Sequence, residues 1–135
     1  MAEFELIEQI RRYFPHPRHD TVLGIGDDGA LLQSSGSLAV VTDTLVEGVH
    51  FFPDVDPADL GWKSLAVNLS DLAAMGAQPA WALLNLTLPT ADASFVAGFA
   101  AGFAELAQQH QVELVGGDMT QGPLSITVTA IGQQA

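Results

Sequence analysis

The sequence predicts an α+β domain in which helices cover one face of a β-sheet. Three segments repeat apolar residues at helical spacing, and several shorter segments are rich in β-branched residues or alternate apolar with polar residues, as strands do. Of the 135 residues, 48% are hydrophobic and 15% are charged. That composition is typical of one folded domain with a sizeable core.

The N-terminal quarter predicts a helix, a loop and a hairpin. Apolar residues recur at helical spacing over Glu3–Phe14, and prolines follow at once. Residues 24–29 then carry three glycines, which would let the backbone approach a ligand closely, although an ordinary flexible turn has the same composition. The run Ala30–Leu32 is predicted to pair in a hairpin with the apolar strand Leu38–Val41.

The second predicted helix spans Ala58–Met75 and has an unusual polar edge. Its spacing places Ser64, Asn68 and Asp71 on one side. These short polar residues are poorer helix formers than Lys or Glu, the usual choices for a solvent-facing side. The pattern therefore leaves two alternatives open, a solvated edge and a buried functional edge.

The rest of the chain predicts two longer strands, one helix and one short strand. Trp81–Leu88 and Leu124–Gly132 alternate as strands, while Ala93–His110 repeats as a helix that Asp92 can cap. Val112–Val115 reads as a short strand. Because helices can cover only one face of such a sheet, we expect a second copy of the chain to close the other face.

Composition and charge exclude several kinds of partner and site. The formal net charge of −12 would repel nucleic acid and anionic membranes, so neither is expected as a partner. The acidic N-terminus differs from a signal peptide, and the longest uncharged stretch, Leu72–Ala91, is interrupted by glycine and prolines. We therefore expect a cytoplasmic protein. Disulfides and thiolate metal sites are excluded because the chain has no cysteine.

A set of aspartates falls in loops, at predicted strand ends or on the helix edge, mostly beside small residues: Asp27, Asp28, Asp43, Asp71 and Asp118. Mg²⁺ prefers oxygen ligands, and carboxylates gathered without Lys or Arg repel one another unless cations neutralise them. Dispersal over the surface, as turn and cap residues, is the alternative. His50 stands on an apolar background and by pattern alone is an ordinary packed histidine.

Four segments in order carry a family resemblance: GIGDDGALL at 24–32, TDTLVEGVHF at 42–51, KSLAVNLSDLAAMGAQP at 63–79 and LVGGDMTQGPLSITVTAIG at 114–132. Together they resemble the N-terminal domain of the thiamine-monophosphate kinases, in the aminoimidazole ribonucleotide synthetase-like superfamily of ATP-using enzymes. Selenide water dikinase and the hydrogenase-maturation dehydratase share similar SDLAAMGA-type segments and remain alternatives. The GVHF and GGD-x-T-x-GP forms favour the kinase.

The resemblance implies a mixed sheet with helices on one face, forming an N-terminal ATP- and Mg-binding and dimerisation domain over 1–135. It implies direct transfer of the ATP γ-phosphoryl group to thiamine monophosphate without a protein nucleophile, and a homodimer joined through the sheet. The second family domain is missing, so the isolated domain is expected to be inactive. A non-catalytic metal-binding or dimerisation module is the alternative from another class.

The same resemblance assigns site residues. Several Mg²⁺ ions are expected near Asp27, Asp28, Thr42, Asp43, Asp71 and Asp118. ATP is expected beside Gly117 and Asp118. His50 matches a position that contacts the substrate.

Overall fold

The structure, a computed structural model, describes residues 3–26 and 28–134. Within these ranges the elements in chain order are α1 (Glu3–Arg11), β1 (Thr21–Leu23), β2 (Leu31–Leu32), β3 (Leu38–Val46), α2 (Pro57–Ala74), β4 (Ala77–Leu88), α3 (Ala93–Gln109), β5 (Glu113–Gln121) and β6 (Ser125–Gln134). No helix in this part of the chain is long and apolar enough to cross a bilayer.

The main sheet is mixed, with strand order β3-β6-β4-β5. The β4–β5 pair is parallel, and β6 is antiparallel to both β3 and β4. The predicted α+β class is therefore confirmed. The hairpin predicted between Ala30–Leu32 and Leu38–Val41 is wrong, because β2 pairs with β1 and the whole of β3 pairs with β6. All nine residues of β3 pair with β6, which gives a longer ladder than a hairpin with the short β2 would.

The two faces of the sheet differ as the alternating strands predict. Leu84, Leu86 and Val128 are buried on the face that α2 and α3 cover. Asn85 and Thr127, their alternating neighbours, face the other side and are exposed or half-buried. The second face is therefore the more polar one, and it is open except at one end, where Trp81 and Leu83 pack with Leu32 of β2.

The helix layer is built on close contact between α2 and α3. A Cβ atom at Gly102 would lie 1.9 Å from the carbonyl oxygen of Ala58, and one at Gly61 would lie 2.1 Å from that of Phe99. Gly102 on α3 and Gly61 on α2 therefore allow the two helix backbones to touch. Asp92 caps α3 as predicted, accepting a hydrogen bond from the Phe95 amide at 3.1 Å.

Several predicted boundaries differ from the structure. The helix α1 ends at Arg11 and not at Phe14. Asp43 was expected at a strand end but lies inside β3, paired with Val128. Asp118 likewise lies inside β5, because the strand continues through its glycines to Gln121. Both aspartates are therefore fixed by regular strand geometry.

Candidate functional site

Two of the predicted site residues form a carboxylate pair between β3 and α2. Asp43 on β3 and Asp71 on α2 lie close enough for the charge of one carboxylate to act on the other. Burial raises the pKa of Asp43, and the neighbouring negative charge of Asp71 raises it further. Two negative charges this close repel each other. The pair is thus a place where a hard cation would relieve repulsion.

The polar edge of α2, which the sequence left as either solvated or buried, is mostly buried in the structure. Ser64 and Asn68 are buried, with 2% and 0% of their surface exposed, whereas Asp71 reaches solvent. The Ser64 hydroxyl donates to the Gly61 carbonyl at 2.9 Å, and the Asn68 amide nitrogen donates to the Ser64 carbonyl at 3.0 Å. The amide oxygen of Asn68 has no hydrogen-bond partner. Most of this edge is therefore buried, and it leads to the carboxylate pair.

A second group of predicted residues lines a cavity of about 600 Å³ at the β5 edge of the sheet. Asp28, Gly117 and Asp118 all line it. Its remaining walls are the end of α1, the loop that precedes β2, and the facing parts of β4 and β5. The cavity combines apolar walls with a few charged groups, as small-molecule sites do.

The conformation of Gly117 explains why a glycine directly precedes Asp118. Gly117 has φ +140°, and a Cβ atom there would lie 1.8 Å from the Leu84 carbonyl oxygen. Only glycine fits, because both the left-handed backbone and the contact with β4 forbid a side chain. Asp118 follows directly and accepts a hydrogen bond from the Met119 amide at 2.9 Å. The cavity wall therefore requires glycine at position 117.

Arg11 is a cavity residue that the sequence did not indicate. It lines the same cavity as Asp28 and Asp118. Gly26 has φ +115°, and a Cβ atom there would lie 3.2 Å from Nη1 of Arg11. The carboxylates were expected to gather without a nearby base, and at the cavity this expectation is wrong. Nothing in the sequence pattern shows that the end of α1 lies next to residues 24–29, which we call the glycine loop.

A buried polar network fixes the chain just before that loop. The Arg18 guanidinium donates to both carboxylate oxygens of Asp20, at 2.8 and 3.0 Å, and lies 5.6 Å from the Trp81 ring centroid. These bonds hold the pKa of Asp20 below its usual value. Glu113 at the start of β5 accepts from the Arg18 amide at 2.9 Å and from the Thr21 hydroxyl. The network ties the start of the glycine loop to the sheet.

His50 lies in the turn after β3, where its ring is held by the backbone. Nδ1 of His50 accepts a hydrogen bond from the Val46 amide at 2.9 Å. In the neutral ring the hydrogen is then on Nε2, so the exposed side of the ring offers a donor. Lys63 donates from Nζ to the His50 carbonyl at 2.8 Å and fixes the turn from α2.

The predicted site residues thus fall into separate places. Thr42 is on the opposite face from Asp43, and its hydroxyl accepts from Thr129 at 3.2 Å. Pairing aligns Asp43 with Gly117 across three strand spacings, which is about 14 Å. Asp27 lies outside the described residues. Among the residues that are described, no three acidic or histidine side chains come together closely enough to hold a metal ion.

The donor set nevertheless fits Mg²⁺ at the carboxylate pair. Mg²⁺ usually takes one or two carboxylates from a protein and completes its shell with substrate phosphates and water. Asp43 and Asp71 supply two neighbouring carboxylates. The pair is therefore sufficient as the protein's contribution to such an ion.

Comparison with known sequences gives the family. A family model described as AIR synthase related protein, N-terminal domain, matches residues 26–134. Thiamine-monophosphate kinase of Escherichia coli (strain K12) is 53% identical over 132 residues, which is 94% of this chain and 40% of that protein. The chain therefore spans less than half the length of the curated relatives that it matches.

Solved structures agree on the fold. The crystal structure of thiamine-monophosphate kinase from Stenotrophomonas maltophilia K279a has a TM-score of 0.85 and 54% identity, covering 98% of this chain and 42% of that one. The structure of AaThiL complexed with AMPPCP and TMP has a TM-score of 0.68 and 31% identity, covering 97% of this chain and 41% of that one. The crystal structure of hydrogenase maturation protein HypE in complex with ATP has a TM-score of 0.80 and 26% identity, covering 98% of this chain and 40% of that one. The chain belongs to the family of AIR synthase related proteins, as an N-terminal domain of the kind found in thiamine-monophosphate kinases.

Proposed function

We propose that this chain is the N-terminal part of a longer cytoplasmic enzyme that transfers the γ-phosphoryl group of ATP to thiamine monophosphate, giving thiamine diphosphate. The observation that carries the proposal is the Asp43–Asp71 pair, because two carboxylates in contact are suited to a cation that accompanies a polyphosphate. The relatives at 53% and 54% identity are thiamine-monophosphate kinases, which supports the choice of substrate.

The nucleotide binds in the cavity at the β5 edge. Gly117 brings the backbone of β5 close to β4, and Asp118 and Asp28 add carboxylates to the cavity wall. The Arg18–Asp20–Glu113 network holds the preceding segment in place, so that the glycine loop is positioned before the ligand arrives. Phosphoryl transfer depends mainly on positioning and on charge neutralisation, and no protein nucleophile is required.

Magnesium is the cofactor that this donor set fits, with Asp43 and Asp71 as ligands and Asp27, Asp28, Thr42 and Asp118 as the further residues that the resemblance assigns. When bound, Mg²⁺ would neutralise charge on the phosphates during transfer. The protein's own contribution is to hold the two carboxylates together on a rigid strand and a rigid helix.

His50 is proposed to contact the phosphate acceptor. Its Nδ1 is occupied by the Val46 amide, so the neutral ring offers Nε2–H to solvent as a donor for an anionic group. The enzyme is proposed to be a homodimer, because the open face of the sheet is uncharged over most of β6 and has β3 at its edge.

The proposal is tested by assaying the full-length enzyme with ATP, Mg²⁺ and thiamine monophosphate. We expect thiamine diphosphate and ADP in equal amounts, measured by chromatography. ADP release without thiamine diphosphate would contradict the proposed acceptor. Binding of Mg²⁺ and AMPPCP without any turnover would favour a non-catalytic module.

A matched pair of variants tests the role of His50. His50→Ala should raise the KM for thiamine monophosphate about tenfold, the effect of losing one hydrogen bond to a charged group, and leave the KM for ATP unchanged. The control is His110→Ala, at the exposed end of α3. An equal effect on both substrates would show that His50 only shapes the turn.

A further inference from the structure

We infer that Arg11 is a binding residue for the polyphosphate of the nucleotide, and that its guanidinium exchanges Glu8 for a phosphate when the nucleotide binds. This inference rests on the proposed function, because it takes the cavity at the β5 edge as the nucleotide site. It adds a cationic residue on α1 to a site otherwise described by carboxylates and glycines.

The contact between Arg11 and Gly26 places the guanidinium on the glycine loop. A Cβ atom at Gly26 would lie 3.2 Å from Nη1, 3.5 Å from Cζ and 3.7 Å from Nη2 of Arg11. Three guanidinium atoms therefore lie over the space that a side chain at this position would occupy. Glycine at 26 serves both the backbone, with φ +115°, and the approach of Arg11.

Arg11 is also the strong base available at this cavity. The chain has four Lys and Arg residues in all. Arg18 is engaged by Asp20 and the Gln111 carbonyl, and Lys63 donates to the His50 carbonyl on another part of the surface. Arg12 is exposed and does not line the cavity, whereas Arg11 does.

The ion pair with Glu8 is weak enough to exchange. Nη1 of Arg11 lies 3.2 Å from Oε1 of Glu8, with 49% and 56% of the two side chains exposed. An exposed pair of this kind contributes little to stability. A phosphate offers the same guanidinium stronger, two-pronged hydrogen bonds. A polyphosphate entering beside Glu8, Asp28 and Asp118 meets three carboxylates, so a cation that turns from Glu8 to the phosphate offsets part of that repulsion.

The test compares Arg11→Ala with Arg12→Ala in the full-length enzyme, by calorimetric titration with AMPPCP at fixed Mg²⁺ and at several NaCl concentrations. Arg11→Ala should weaken AMPPCP binding about tenfold and reduce the dependence of affinity on salt. Arg12→Ala removes the same charge one residue away and should change affinity by less than about twofold. Glu8→Gln removes both the competing partner of Arg11 and one of the three carboxylates, so it should tighten AMPPCP binding.

The outcomes separate this inference from the proposed function. Equal affinities and salt dependences for the two arginine variants would overturn the inference, even if the enzyme makes thiamine diphosphate. Weaker binding in Arg11→Ala with an unchanged salt dependence would also overturn it, because the residue would then be structural. If Arg11→Ala shows the expected losses while the wild type makes no thiamine diphosphate, the inference stands and the proposed acceptor fails.

Discussion

At the scale of single residues, the most informative feature is a repulsion that the fold maintains. Asp43 lies inside a regular strand and Asp71 on the facing helix, so neither can move away without disturbing its element. Contacts of this kind reduce stability and are typical of functional sites. The loss of stability caused by this repulsion is expected to disappear when one of the two carboxylates becomes neutral.

Asp43→Asn is therefore expected to stabilise the metal-free protein. Because the folded pKa of Asp43 is raised, its contribution to stability is fully present below the unfolded value of about 3.8 and is lost as pH rises through the folded pKa. In EDTA at pH 7 the variant should melt about 2–5 °C above wild type, with no difference near pH 3. Asp54→Asn, in an exposed loop, is the control. A lower melting temperature for Asp43→Asn at pH 7 would contradict this explanation.

Sequence reasoning at this scale succeeded where a residue's environment is local. Asp92 was identified as a helix cap from its position alone, and the structure has that bond. The proximity of Asp43 and Asp71 was expected only in outline, because it depends on how α2 crosses β3. Arg11 was missed for a similar reason, since no local pattern brings the end of α1 to Gly26.

At the scale of elements, the segment before the glycine loop is held by a polar network and has few apolar contacts of its own. Asp20 is 9% exposed and receives hydrogen bonds from Arg18 and from the Gln133 amide. Glu113, 6% exposed, ties the same segment to β5. Buried ionic groups of this kind fix a conformation strongly only while every partner is present.

Asp20→Asn should destabilise the protein by about 2 kcal/mol at pH 7, because it removes the charge that Arg18 pairs with. The folded pKa of Asp20 is lowered, so its stabilisation is present above the unfolded value of about 3.8 and is lost as pH falls through the folded pKa. Urea denaturation should therefore show a smaller difference at pH 3 than at pH 7. Glu8→Gln, in an exposed pair, should have almost no effect at either pH. An equal loss of unfolding free energy for Asp20→Asn at both pH values would contradict the stabilising role of the charged Asp20–Arg18 pair.

Most elements could be predicted because their patterns are periodic and long. α2, α3, β4 and β6 all lie within a few residues of the predicted ranges. The pairing of β2 and β3 could not be predicted, because β2 has only two residues and the apolar run that marks β3 covers only its first four residues, so both fit several partners. The extension of β5 through Gly116 and Gly117 was hidden for another reason: glycine ordinarily ends a strand, and here it allows close approach to β4.

At the scale of the whole molecule, a layer of helices on one face leaves the other face of the sheet for a partner. Val40 on β3 is 62% exposed and Leu38 is 44% exposed, on the face that also carries Ile131 and several Thr and Asn side chains. The one-sided helix layer was predicted from the alternating strands, and self-association through the other face stays a prediction. The separation of about 14 Å between Asp43 and Gly117 was not predicted, because the order of strands in a sheet cannot be inferred from any single segment of the sequence.

The isolated 135-residue chain is expected to fold and to self-associate without catalysing phosphoryl transfer. In sedimentation experiments Val40→Lys, on the open face, should weaken association at least about tenfold, since burying an unpaired charge at an interface is costly. Val49→Lys, in the turn after β3 and 74% exposed, should leave association unchanged. A wild-type chain that remains monomeric at high concentration would contradict the proposed role of the sheet.

The central claim is that Asp43 and Asp71 bind the cation that accompanies the nucleotide, and the most direct measurement is the affinity of the full-length enzyme for AMPPCP with and without Mg²⁺. In the wild type, Mg²⁺ should tighten binding at least about tenfold, whereas in Asp71→Asn most of that gain should be lost while the fold and the Mg²⁺-independent affinity are retained. A full Mg²⁺ dependence in Asp71→Asn, or none in the wild type, would contradict the account.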